Sequence, residues 1–294
     1  MSSGIAATAR PSNLMRVLKI SAISFLNTAP LMWDFEHEPT TELVQNFVTE
    51  YTVPSMCARA LREGRADLGI IPVITTATIP GLMVLPHVAI AALNKVWSIQ
   101  LISKCPIEEI RTVAVDTSSR TSVGLLQVLL TKFYGGHREL TPMPPVLEPM
   151  LEMCDAGLLI GDSAMMANIG NRYHYDLAEL WHQHTGLPFV FAVWAFRRAA
   201  EEEMRPGLDV SGIFLRSRDH GLSDTGVAEI ARTWAPRMGL SEEQIVHYFR
   251  DNIHYELDLE CRKGLSLFFQ LAAEIGHIPA VPKLEFLGGG DVLL

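Results

Sequence analysis

The sequence predicts an α/β protein of two lobes joined by two crossing strands, with a helical C-terminal segment. Three observations lead there. Short β-branched or fully apolar runs alternate with segments of helical spacing, the pattern of a parallel sheet with crossover helices. The run Ala66-Asp67-Leu68-Gly69-Ile70-Ile71-Pro72 in the first half has a counterpart of the same kind in the second, Asp155-Ala156-Gly157-Leu158-Leu159-Ile160-Gly161-Asp162. Two apolar stretches, one closing at Ser103 and one opening at Phe189, suit a passage to a second lobe and a return. The expected division is a flexible extension over residues 1–15, a first lobe from 16–103 plus 194–294, and a second lobe from 104–193.

At 294 residues and 48% apolar content, the chain can bury the core of two domains of ordinary size. No apolar run reaches the roughly 18 residues of a membrane span. The opening Met1 to Asn13 is small and polar, without the apolar stretch of an export signal. A net charge of -9, with no Lys/Arg-rich run, argues against nucleic acid as a partner. An anionic ligand would therefore be held by local devices rather than by the overall field. Cys57, Cys105, Cys154 and Cys261 are each solitary in apolar surroundings and read as free thiols of a reducing, cytoplasmic compartment. His182 and His184 have no thiol or carboxylate cluster beside them, so neither metal nor cofactor is expected. Nothing points to a membrane partner or to a particular oligomeric state.

Taken in order, Met15 to Ile23 begins as a strand and ends in Ser24-Phe25-Leu26-Asn27-Thr28-Ala29-Pro30. Ligands of open α/β sheets sit beyond the carboxyl ends of strands, which places Asn27 for contact or for an Asx turn. Phe47 to Val53 alternates as a second strand. Pro54 to Glu63 is a helix with Pro at its start and Gly64 as its stop, leading into the Ala66–Pro72 strand. Val84 to Ala92 and Trp97 to Ser103 add two strands, with Ser98 at the start of the second. Ile110 is expected to open the second sheet.

That sheet's first strand runs into Asp116-Thr117-Ser118-Ser119-Arg120-Thr121-Ser122, five hydroxyls around one arginine, and helical spacing follows from Val123. A helix N-terminus offers free N–H groups and a partial positive charge, and a guanidinium can grip a carboxylate with two parallel bonds. The knot reads as an anion cradle. Asp116 and Asp162 each end a strand, as acid–base carboxylates or as caps of the helices that follow. Leu177 to His184 is helical, Phe189 to Phe196 is the returning strand, and the remainder reads as helical, with a capping box at Ser241-Glu242-Glu243-Gln244.

Five of these stretches in this order, Ile23–Pro30, Ala66–Pro72, Ser118–Ser122, Leu159–Ala164 and Thr185–Trp194, resemble the chorismate dehydratases of the futalosine route to menaquinone. The resemblance runs from about Val17 to Ile275. It implies the fold of type 2 periplasmic binding proteins. It also implies elimination of water from chorismate to give 3-[(1-carboxyvinyl)oxy]benzoate, without metal or organic cofactor. By the same resemblance Asn27 is the catalytic position, and Ser98 and Ser119, Arg120, Thr121 and Ser122 are substrate-binding positions; Ser118 and Asp162 join them as neighbours in the cradle and at a strand end. An amide cannot serve as general base, which leaves Asp116, Asp162 or the enolpyruvyl carboxylate of the substrate as proton acceptor. Two other readings share the fold: a protein that only captures a small carboxylate, and the sister dihydroxynaphthoate synthase of the same route. The sister family builds its first motif on Cys-Pro-Asn-Asp, which Phe25-Leu26-Asn27-Thr28 does not match.

Overall fold

A computed structural model describes residues 16–37 and 39–289. The expected extension over 1–15 lies outside these residues. Eleven strands are present among the described residues: β1 (Leu18–Ile23), β2 (Phe47–Thr52), β3 (Leu68–Pro72), β4 (Leu82–Ala92), β5 (Ile99–Ser103), β6 (Thr112–Asp116), β7 (Glu139–Met143), β8 (Ala156–Ile160), β9 (Tyr173–Asp176), β10 (Phe189–Arg197) and β11 (Glu285–Phe286). They form two sheets, one in the order β11-β4-β10-β3-β1-β2 and one in the order β7-β6-β8-β5-β9. β1 pairs in parallel with β2 and β3, while β10 lies antiparallel between β3 and β4. The second sheet repeats the plan on a smaller scale: β6 is parallel to β7 and β8, and β5 runs antiparallel to β8 and β9. This is the two-lobed α/β architecture that the alternation of elements predicts, on the type 2 periplasmic-binding-protein-like plan that the resemblance implies.

The crossings fall earlier than expected. β5 pairs within the second sheet and β10 within the first, so the chain passes between lobes at 93–98 and at 186–188, not at 103 and 193. The second sheet is accordingly opened by β5 and not by Ile110. Both strands are almost wholly buried on both faces, and such a run carries no periodicity that says which sheet it joins. The break is marked instead by exposed Leu93, Asn94 and Lys95. The tail is also not entirely helical: β11 adds to β4 in parallel, and Ala91 bridges His254.

Helices cover the sheet faces. The helix Pro54–Arg62 starts on Pro54 and buries Cys57, Ala58 and Leu61 against β3 and β1. The helix Leu259–Glu274 buries Leu265, Phe268 and Phe269 and packs on β10 and on the helix Thr121–Phe133 of the other lobe. Among the described residues no helix is long and apolar enough to cross a membrane. All four cysteines are free, and three of them are buried.

One glycine fixes how closely the C-terminal helices approach the first strand end. A Cβ on Gly221 would lie 2.3 Å from the Pro30 carbonyl oxygen, a backbone atom that cannot rotate away. Gly221→Ala is expected to cost about 1–3 kcal/mol in chemical denaturation, because Leu26–Met32 must shift to admit the methyl.

Candidate active site

The strand ends of both lobes converge on one cavity. Its walls are apolar, from Ile23 at the end of β1, Ile90 of β4, Ile99 and Ile160 of the second sheet, and Phe25 and Phe191. Among the described residues, polar side chains reach it at two places: Asn27 and Thr28 from the first lobe, and Ser118 to Ser122 from the second. It holds about 70 Å³, a narrow space below the usual range of small-molecule sites. The two sequence features singled out for ligand contact therefore face each other across the cleft.

Asn27 is in the first turn of the 3-10 helix Leu26–Met32, which starts where β1 stops. Its Oδ1 is buried and accepts no hydrogen bond from the protein. A buried acceptor without a partner is costly, and this one belongs to a residue on the cavity wall, where a ligand can supply the donor. The backbone around it is fixed from several sides. Thr28 Oγ1 donates to the Ile23 and Phe25 carbonyls, and Tyr255 donates its hydroxyl to the Asn27 carbonyl at 2.8 Å.

The hydroxyl knot is less free than its composition suggests. Arg120, not a Ser or Thr, occupies the position before the helix Thr121–Phe133, and no side chain caps that end. Ser118 is used locally: its N–H and Oγ donate to Asp116 Oδ1 at 2.8 and 2.7 Å. Thr121 Oγ1 accepts the Ile74 N–H at 3.4 Å. What remains for an anion is the buried Ser119 Oγ, which has no partner, the Ser122 hydroxyl, the free N–H groups of the first turn, and the exposed Arg120. Arg120 forms no ion pair among the described residues. With Ser119 it also lines a second recess beside Thr75, Thr78 and His277, so the guanidinium stands between cavity and recess.

Ser98 is not on the cavity wall. It is fully buried in the crossing, where its Oγ accepts the Tyr248 hydroxyl at 2.8 Å. Burial pushes the phenols of Tyr248 and Tyr255 well above the ordinary tyrosine range, so both remain protonated donors. Neither tyrosine, on the C-terminal segment and remote in sequence, carries a local pattern that would single it out. Asp116 and Asp162 also stand back from the cavity. Asp116 shapes the turn through Ser118, and Asp162 Oδ1 accepts the Leu26 N–H at 3.1 Å. Burial pushes the Asp162 carboxyl pKa up, opposed by that N–H.

The crossing itself is held by Asp176, which sequence reading passed over. Its Oδ2 accepts the N–H groups of Val96 and Trp97 at 3.0 and 2.6 Å and the Gln100 amide at 3.1 Å. Its Oδ1 caps the helix Leu177–Thr185 through Ala178 and Glu179 at 3.0 and 3.2 Å. An Asp directly before a helical run signals the cap, but nothing local signals its reach to residue 96.

Two other features are explained without a ligand. A roomier groove runs past Lys95, Trp97, Asp176, Glu179, Glu243 and His247, and its acids would repel an anion. His254, Asp258 and Cys261 lie within 4.8 Å of one another, as metal ligands might be spaced. Asp258 caps the helix Leu259–Glu274 through the Cys261 N–H at 2.8 Å and meets His254 Nε2 at 2.8 Å, while burial pushes the Cys261 thiol up to about 12. The trio is a helix cap.

Comparison with known proteins agrees with this geometry. The sequence profile of a family described as menaquinone biosynthesis matches residues 18–274. The chain belongs to that family. A chorismate dehydratase from Thermus thermophilus is 32% identical over 257 residues, covering 81% of this chain and 90% of that protein. Among solved structures, a protein from Archaeoglobus fulgidus superposes with a TM-score of 0.71 at 16% identity, covering 92% of this chain and all of that one. The periplasmic aliphatic sulphonate binding protein of Escherichia coli gives 0.61 at 16% identity, covering 90% and 94%. These likenesses show that the chain has the fold of periplasmic binding proteins.

Proposed function

We propose that this chain is a chorismate dehydratase, a lyase that removes water from chorismate to give 3-[(1-carboxyvinyl)oxy]benzoate. The observation that carries the proposal is the pairing, across one apolar cavity, of a partnerless Asn27 Oδ1 with the free Ser119 hydroxyl and unpaired Arg120. Chorismate has two carboxylates, a hydroxyl and an apolar ring, and the cavity offers a partner for each kind of group. Arg120, Ser119 and the free N–H groups of the helix end take a carboxylate. Asn27 Oδ1 accepts from the ring hydroxyl and holds the carbon–oxygen bond that breaks. The isoleucine and phenylalanine walls take the ring and exclude water.

The ring hydrogen that leaves is on the carbon bearing the ether oxygen. Asp116 and Asp162 are engaged elsewhere and do not line the cavity, which supports the substrate's own enolpyruvyl carboxylate as the proton acceptor. The carboxylate takes the proton, the electron pair of the C–H bond becomes a ring π bond, and the neighbouring hydroxyl departs, carrying that proton away as water. Ser98 supports the site through Tyr248, one step behind the wall. The reaction belongs to the futalosine route to menaquinone, and the free cysteines favour a cytoplasmic setting.

The test is to mix the purified chain with chorismate, with no added metal or nucleotide, and follow the ultraviolet spectrum with chromatographic identification of the product. An aromatic enolpyruvyl ether is the expected product; bound but intact chorismate would replace the enzyme reading with capture of a small carboxylate. Arg120→Gln is expected to raise KM by about tenfold to a hundredfold with a smaller change in kcat, since the guanidinium grips a group that does not react. Steady-state kinetics checks it.

A further inference from the structure

Two 3-10 helices of the first lobe border the cleft, Leu26–Met32 after β1 and Val73–Ala77 after β3. Neither is capped by its own chain neighbour: the positions before them are Phe25 and Pro72, and no side chain there accepts a helix N–H. Each helix receives its acceptor from the opposite lobe instead. Asp162 Oδ1 accepts the Leu26 N–H at 3.1 Å, and Thr121 Oγ1 accepts the Ile74 N–H at 3.4 Å. Two separate elements of the second lobe thus complete two separate helix starts of the first.

We propose that Asp162 is a positioning residue that caps the Asn27-bearing helix across the cleft, with Thr121 as its companion, so that Asn27 reaches its working geometry only when the lobes are shut. Leu26 directly precedes Asn27, and the Asn27 carbonyl is held by Tyr255 from its own lobe. Bonds within its own lobe hold most of this turn, and the Leu26 N–H alone takes its acceptor from the opposite lobe. A second contact supports the same closure. Gly161 has φ +57°, and a Cβ there would lie 3.1 Å from Phe25 Cδ2, so the ring of Phe25 rests on the bare backbone beside Asp162. Opening would leave the Leu26 N–H to water and remove the cap that sets the start of the turn carrying Asn27. Asp162 makes no other side-chain hydrogen bond among the described residues, and it does not line the cavity, so its place in the site is explained by the cap.

The kinetic arm of the test rests on the dehydratase reading; the scattering arm does not. The full chain, Asp162→Ala and Asp162→Asn are compared by small-angle X-ray scattering without ligand and by steady-state turnover of chorismate. The alanine variant is expected to show a larger radius of gyration than the parent and a kcat about tenfold lower, and the asparagine variant, whose amide oxygen still accepts the N–H, to regain both to within about threefold. An unchanged radius of gyration in Asp162→Ala overturns the proposal whatever its turnover. Equal loss of turnover in both variants also overturns it, because the carboxylate itself would then be required. Should the parent chain leave chorismate intact, the dehydratase reading falls while the scattering still decides the cap. Thr121→Val against Thr121→Ser repeats the scattering comparison at the second helix, where only the valine variant is expected to expand.

Discussion

Asn27→Ala is expected to lower kcat by two to three orders of magnitude while leaving the melting temperature unchanged or higher. The two halves of this result share one cause. Oδ1 is buried without a hydrogen-bond partner, and such an atom costs the fold about 1–3 kcal/mol. Alanine removes that cost. It also removes the acceptor that, in the proposed reaction, orients the departing hydroxyl, and misplacing a reacting group costs on the order of a hundredfold or more in rate. The turn survives the change, since Thr28 and Tyr255 hold its backbone. Asn27→Asp would keep the shape but set a negative charge among the substrate's carboxylates, raising KM as well. Thermal unfolding and steady-state kinetics on the same preparations test both halves. A loss of stability in step with activity would mean that Asn27 holds the turn and does not serve the reaction.

Asp176→Ala is expected to give the largest loss of stability among single polar substitutions, about 3–4 kcal/mol by chemical denaturation. Five N–H groups converge on this nearly buried carboxylate, from the crossing, from Gln100 and from the start of a helix. Removal orphans them together. Trp97, inside the crossing, has φ +59°, a conformation that side chains adopt at a cost, and the bond from its N–H to Asp176 retains it there. Released from that bond, residues 96–98 would relax and carry Ser98 away from Tyr248. KM is therefore expected to rise along with the drop in stability. Asp176→Asn keeps one accepting oxygen and turns an N–H donor toward donors, so an intermediate loss is expected.

The alternation of elements and the hydroxyl knot were legible in the chain because both are local patterns. β1, the helix Pro54–Arg62 and β3 follow their periodicity and their Pro and Gly markers closely. The capping box at Ser241 and Gln244 forms as its spacing requires. What could not be read is how partners are shared out at long range. Ser118 and Thr121 look alike in sequence, yet one is consumed by its own turn and the other by a helix of the opposite lobe. Asp162 has the form of a cap for its own helix and serves Leu26, across the cleft. Tyr248 and Tyr255 reach Ser98 and Asn27 from segments more than a hundred residues away. The lobe boundary failed for a related reason: β5 and β10 are buried on both faces, and such strands fit either sheet.

The position of β10 between β3 and β4 has a consequence for synthesis. One lobe is a single uninterrupted segment, and the other is split around it. As the chain leaves the ribosome, β1 to β4 emerge first, but β3 and β4 cannot join until Phe189–Arg197 has followed. During that interval the bonding edges of two apolar strands stand open, a state prone to pairing with other chains. The inserted lobe can fold in the meantime, since both of its ends and all five of its strands are already out. Its early folding would bring 93–98 and 186–188 close together and shorten the loop that β10 has to close. The lobe that carries the hydroxyl-rich turn would thus also serve, during biogenesis, as the tether that delivers the last central strand to its place.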